Sequence, residues 1–200
     1  VNNSSYTMYS STTLDASAAA GVGSVSLACL SCHDGAQARD VLVNAPGSGL
    51  YNAAGSAAWN SSAGDGISGT PLPNLQTDLS NDHPISIPYG AGGTGAWQSG
   101  GADGAAANTL LADKDFVAGY KDTINGKAVW WIDESSGTAG AREKTDMILY
   151  TRNLTSAEAF DRPFVECASC HDPHNETAQP VSFMRISNAE SKVCLACHVK

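Results

Sequence analysis

The 200-residue sequence predicts one mostly irregular domain with short helices and at most a small β-hairpin, its core supplied by something other than its own side chains. Composition is the first reason. Gly, Ser, Ala, Asn and Thr dominate, and aromatic residues are 7% of the chain, so little apolar surface is available to offset backbone entropy in the ordinary way. Punctuation is the second: from Pro46 to Gly104, Gly and Pro recur every few residues, and so long a structureless stretch is uncommon in a compact domain unless something else organises it. The third is the cysteines. All six lie in three copies of Cys-x-x-Cys-His: Cys29-Leu30-Ser31-Cys32-His33, Cys167-Ala168-Ser169-Cys170-His171 and Cys194-Leu195-Ala196-Cys197-His198.

That pattern is the attachment signature of c-type haem. Two thiols three residues apart, about one helical turn, reach two vinyl groups on one edge of a porphyrin, and the next residue, histidine, ligates the iron from one side. Zinc sites and redox-active pairs use similar letters. Zinc sites, however, combine two Cys-x-x-Cys halves and would leave one pair over, and a disulfide framework gives no reason for histidine after every second cysteine. The expectation is three covalently bound haem c groups that form the core. Cys29, Cys32, Cys167, Cys170, Cys194 and Cys197 are then the thioether donors, with His33, His171 and His198 as proximal iron ligands.

Taken in order, residues 1–28 read as a Ser/Thr/Ala-rich N-terminal arm, with Tyr6, Met8 and Tyr9 its bulky cluster and a short helix around Leu14–Ala20. Residues 29–104 carry the first motif on a short helix, ended by Asp34-Gly35, and then the loop region. Within 105–160, Leu110, Leu111, Phe116, Val117 and Tyr120 give partial helical spacing over Ala105–Tyr120. Ala128–Ile132 and Met147–Thr151 read as two strands of a hairpin that sends Trp130 and Trp131 to opposite faces, and Thr155–Phe160 as a capped turn. Residues 161–200 hold the doubled motif.

Three six-coordinate irons need six ligands, and the chain has five histidines. After the three proximal residues, His83 and His174 remain as distal ligands. In His171-Asp172-Pro173-His174 the proline disfavours helix at Asp172, so the motif's helix stops near His171 and His174 turns away from its own haem toward a neighbouring iron. In Asp82-His83-Pro84, Pro84 holds the histidine extended, and Asp82 either orients the imidazole or faces solvent. Ligand exchange within a homopolymer does not repair the shortfall of one, since each subunit receives as many ligands as it donates. The sixth position falls to a methionine (Met8 and Met184 ahead of Met147), to the Val1 amine, or to nothing. Methionine would raise that haem's potential.

The run from CASCHDPHN to FMRISNAESKVCLACH resembles the doubled Cys-x-x-Cys-His module of multihaem cytochromes c. With YTMYSSTTLDA, CLSCHDG and DLSNDHPISI, the chain is similar to the small multihaem cytochromes that include the tetrahaem, OmcE-like subunits of extracellular nanowires; the region from Tyr89 to Thr155 carries none of the likeness. Such relatives often have a further motif upstream of the YTMYSS-like run, so the chain reads either as a trihaem variant or as one lacking its first haem segment. The resemblance implies electron hopping between porphyrins in contact within and between subunits. His174 or His83 is the residue that would complete a haem in the next subunit.

The leading expectation is therefore an electron carrier without turnover of its own, assembled as a homopolymeric extracellular filament and exchanging electrons with other redox proteins or extracellular acceptors. A soluble periplasmic shuttle is the first alternative. A reductase with one open haem is the second, weakened because the loops show no Arg/Lys/His cluster for an oxyanion. A net charge of -9 excludes electrostatic attraction to nucleic acid or anionic lipid as the main function. No run of about 18 apolar residues predicts a membrane span, and haem attachment after export predicts an exported chain whose signal has been removed.

Overall fold

Short runs of consecutive apolar residues, buried on both faces of a sheet, govern the middle of the chain. The computed structural model describes residues 6–13, 21–34, 75–92, 98–99, 115–134, 137–152, 162–175 and 183–199. The expected helix at Leu14–Ala20, the turn at Thr155–Phe160, Val1 and most of the 46–104 loop lie outside them. In chain order the elements are α1 (Ser24–His33), β1 (Ile87–Pro88), β2 (Gln98–Ser99), β3 (Tyr120–Ile124), β4 (Lys127–Ile132), β5 (Met147–Arg152), β6 (Arg162–Val165), α2 (Cys167–Cys170) and α3 (Lys192–Cys197), with 3-10 turns at Tyr89–Gly92 and Ala189–Ser191.

The strands form one sheet in the order β1-β6-β5-β4-β3-β2, antiparallel throughout except for the β2–β3 edge. β4 and β5 are the two strands expected from the sequence, paired with Trp130 opposite Leu149 and Trp131 opposite Ile148. The sheet is larger than the single small hairpin expected. β3 joins β4 through Asn125-Gly126, both at positive φ (52° and 74°), the two-residue turn whose twist matches that of its strands. β1 and β6 each contain a proline, a residue confined to edges and strand ends: Pro163 lies beyond the short stretch of β6 that β1 covers.

The segment expected to be helical over Ala105–Tyr120 is not helical in its described part. Phe116 bridges His198 in antiparallel fashion, the Val117 N–H donates to the Cys197 carbonyl at 2.9 Å, and Tyr120 opens β3. Backbone pairing with a distant segment overrides a partial 3.6-residue spacing.

Trp130 and Trp131 are each 1% exposed and face opposite sides of the sheet. On one side Trp130, Ile132, Met147, Leu149, Val165 and Ile87 pack with Tyr89 and Ile186, and the residues against them include Cys170, Val193 and Cys197. On the other, Trp131 stacks on Tyr120, with centroids 5.9 Å apart and planes at 18°. Two buried tryptophans, at on the order of 200 Å² each and roughly 25 cal/mol per Å², represent roughly 10 kcal/mol of transfer free energy. The sheet thus has a side-chain core of its own.

A second cluster joins Tyr6, Val22, Leu30 and Leu79, with Met8, Leu27, Leu75 and Ile85 against it. It ties the N-terminal arm to α1: Thr7 pairs in parallel with Asp78, and the Tyr6 hydroxyl donates to Asp34 Oδ2 at 3.0 Å, just beyond the helix. α1 begins at Ser24, inside the stretch assigned to the arm. Among the described residues, no helix is long and apolar enough to cross a membrane.

Burial first, and Asp34 second, push the Tyr6 phenol from 10.0 up to about 12. The unfolded chain ionises at the lower value, so this contribution is complete below pH 10 and is lost as pH rises toward about 12. Unfolding midpoints of the protein and of Tyr6→Phe, compared across that window, should converge as the native protein loses its advantage. A constant gap would count against the buried phenol.

Candidate haem-attachment sites

Each motif sits on a short helix that ends at or just before its histidine. α1 runs through Cys29, Cys32 and His33, with Ser26 and Leu30 buried on one face. α2 is a single turn, Cys167–Cys170, and α3 carries Cys194 and Cys197. The chain leaves both of the latter in extended conformation: His171 has φ -108° and ψ 135°, His198 φ -104° and ψ 131°. Their rings are exposed, and His33 is half-buried. The halt of α2 before Pro173 follows the expected proline restriction.

Glu166, the residue before the second motif, is 2% exposed. Its Oε2 accepts hydrogen bonds from Ser26 Oγ (2.5 Å) on α1 and Ser86 Oγ (3.1 Å) beside β1, and its own N–H donates to Ser169 Oγ (2.9 Å). Ser26 Oγ in turn accepts the Cys167 N–H at 2.8 Å, and Ser86 Oγ accepts that of Gly23 at 3.0 Å. Arg152 Nε lies 3.9 Å from Glu166 Oε1, while its other nitrogens donate to the Gly21 and Ser86 carbonyls. Burial works against the Arg152 charge, and Glu166 offsets it. A Cβ at Gly23 would strike the Glu166 carboxylate, so glycine is required there by close approach.

The other end of α2 is held by Arg185. Its guanidinium donates to the Ala168 carbonyl from Nε (3.2 Å) and Nη2 (3.1 Å) and to the Lys144 carbonyl from Nη1 (2.9 Å), and Nη1 lies 3.5 Å from Asp172 Oδ2. A cation at the end of a helix satisfies carbonyls that have no partner within it.

These anchors set the thiols of different motifs against one another. Hydrogen bonding between the coupled Cys29 and Cys167 thiols lowers Cys29 and raises Cys167, which burial raises further. Burial raises Cys170, and it pushes Cys197 up to about 12 with Cys170 adding to the effect. α2 lies against α1 through Ser26, Glu166 and Cys167, and its Cys170 shares with Cys197 of α3 the core cluster on which both pack.

Of the remaining sequence candidates, His174 projects into solvent with its side chain 92% exposed; its N–H donates to Asp172 Oδ1 at 2.9 Å, and that bond holds the Asp172 carboxyl below the usual range. The His83 ring is solvent-accessible, so its lowered pKa reflects protein packed behind it, with the charge of His198 lowering it further. His83 and His198 are therefore electrostatic neighbours. Met147 is in the sheet core, Met8 packs on the second cluster, and Met184 forms an antiparallel bridge with His171.

Glu166, Arg185 and Tyr89 are not singled out by the sequence, and Phe116 is marked only as one residue of a helical spacing. Charge beside a motif marks the first two only weakly. The aromatic pair lies in or next to segments that read as loop and helix.

The residues fit covalent porphyrin. Cys29, Cys167, Cys170, Cys194 and Cys197 are free of disulfides, the two cysteines of each motif sit one helical turn apart, and each pair is followed by a histidine. Residues 163–200 match the family described as the doubled CXXCH motif. That segment is a multihaem c-type cytochrome module. It begins where β6 enters the sheet and runs through α2 and α3, and as such a module it holds haem c covalently, for electron transfer. No curated protein matches the chain.

Replacing Glu166 by alanine leaves Ser26 and Ser86 without their acceptor and Arg152 without its counter-charge in a buried place, at a cost of about 3 kcal/mol. Glu166→Gln keeps one acceptor and should cost less, and Gly23→Ala should destabilise by displacing the carboxylate. Urea unfolding followed by circular dichroism ranks the three. An alanine variant as stable as the parent would remove the anchoring role.

Proposed function

We propose that the chain is an electron-transfer protein carrying three covalently bound haem c groups, with no turnover of its own, and that it is the repeating subunit of an extracellular conductive filament. The observation that carries this reading is the packing about α2: Ser26 of α1 accepts the Cys167 N–H and donates to Glu166, and Cys170 and Cys197 pack against one face of the sheet. It supports three attachment sites in one continuous row. Haem supplies a one-electron iron couple whose potential follows its axial ligands and surroundings.

The chain's own residues divide the work. Cys29, Cys32, Cys167, Cys170, Cys194 and Cys197 hold the porphyrins, His33, His171 and His198 are proximal ligands, and His83 and His174 are distal ligands. The exposure of His174 supports its reaching an iron of the next subunit, and a head-to-tail contact of that kind propagates into a fibre. The core is then shared between the sheet and the haems. An exported, extracellular or cell-surface location follows from the attachment chemistry.

Purified holoprotein should show the mass of three haems per chain, low-spin spectra unchanged by cyanide or nitrite, and filaments with a continuous row of porphyrins by cryo-electron microscopy. His174→Ala should shorten or abolish the filaments while leaving the haem count intact. Monodisperse particles would replace the filament by a shuttle, and a high-spin ferric signal that responds to nitrite would replace it by a reductase.

A further inference from the structure

The two histidines of the doubled module are held by the same backbone device, built from unrelated segments. At His171, the Asp172 N–H donates to the Phe183 carbonyl (2.8 Å) and the Arg185 N–H to that of Cys170 (2.9 Å), with Met184 as the residue directly opposite. At His198, the Val199 N–H donates to the Asp115 carbonyl (2.8 Å) and the Val117 N–H to that of Cys197 (2.9 Å), with Phe116 directly opposite. Each is a single-residue antiparallel bridge straddling the histidine. One partner segment lies inside the module and the other far upstream, so the shared geometry belongs to the histidine's requirements and not to local sequence.

Directly opposed residues of an antiparallel pair send their side chains to the same face, with Cα atoms about 4.5–5.5 Å apart. The side chain facing each histidine is thereby fixed. The Phe116 ring lies against that of His198, with centroids 4.7 Å apart and planes at 47°. Tyr89 holds Phe116 edge-on, with centroids 5.2 Å apart and planes at 79°, and its hydroxyl donates to the Val117 carbonyl (2.8 Å) while lying 3.1 Å from that of Cys197. The hydroxyl therefore pins both sides of the bridge. At the other histidine, Asn175 Nδ2 donates to the Met184 carbonyl at 3.2 Å and Arg185 fixes the following residue.

We infer that Phe116 and Met184 are positioning residues for the proximal ligands, Phe116 for His198 and Met184 for His171, each restricting the rotation of its imidazole about the bond from ring to Cβ. The inference rests on the haem reading above. An iron ligand is held in orientation by what surrounds its ring, and the orientation of an axial imidazole governs the splitting of the iron orbitals and hence the ferric resonance and the potential. Met184, directly opposite His171 in the bridge, would then serve to position that ligand and would not be the sixth ligand of the same iron.

The test uses oxidised holoprotein, with electron paramagnetic resonance and a spectroelectrochemical titration of Phe116→Leu and Met184→Ala, and with Phe116→Tyr and Met184→Leu as conservative partners. One low-spin signal and one midpoint should move in Phe116→Leu and a different pair in Met184→Ala. The haem count and the remaining signals should hold, and the conservative variants should restore the parent values. Three haems with all signals and midpoints unchanged in both variants overturn the inference alone, as does the same signal moving in both. Parent protein without covalent haem overturns the haem reading and this inference together. Should Phe116→Leu not accumulate, Met184→Ala at its half-buried position decides by the same criterion.

Discussion

A carboxylate removed from water is tolerated only where hydrogen bonds and an opposite charge replace what it has lost. Glu166 meets that demand with groups drawn from α1, from the residue before β1 and from β5, while its own N–H donates to Ser169 of α2. Because none of those elements supplies enough alone, the carboxylate is satisfied only when all have arrived. Its place directly before Cys167 turns a local electrostatic requirement into a fixed relation between the first and second Cys-x-x-Cys-His motifs.

The sheet plays the complementary part for the second and third sites. Cys170 and Cys197 pack on the face that carries Trp130 and Leu149, an apolar floor that keeps both thiols protonated and suits the thioethers they are built to become. A rigid floor matters more here than in an ordinary core. α2 and α3 are one or two turns long, too short to hold themselves in water, and their geometry must come from what they rest on and from the bridges at His171 and His198.

Much of the site is legible in the sequence itself, since Cys-x-x-Cys-His states its own spacing and the stop before Pro173 follows from a steric rule. The fold is legible in part. Consecutive apolar residues mark β4 and β5, whereas β3 alternates with polar residues and offers no such run, although Asn125-Gly126 announces its turn. Phe116 and Val117 look helical because partial spacing is all their neighbours offer. The pairing that makes them extended lies with Cys197 and Val199, eighty or more positions away in the sequence, and no local window contains it. Glu166 and Arg185 are hidden for a similar reason: a charged residue shows its burial only once the groups that pair with it are in place.

The contact between Ser26 and Glu166 spans 140 positions. Loop closure over such a span costs only slightly more than over a shorter one, since the penalty grows with the logarithm of length, but it imposes an order in time. A chain emerging N-terminus first exposes α1 long before residues 162–175 exist to receive it. During that interval α1 lacks the buried carboxylate that receives Ser26 in the folded protein. Arrival of residues 162–175 then completes the contact, so the surroundings of the Cys29 motif are decided by a segment made 140 positions later.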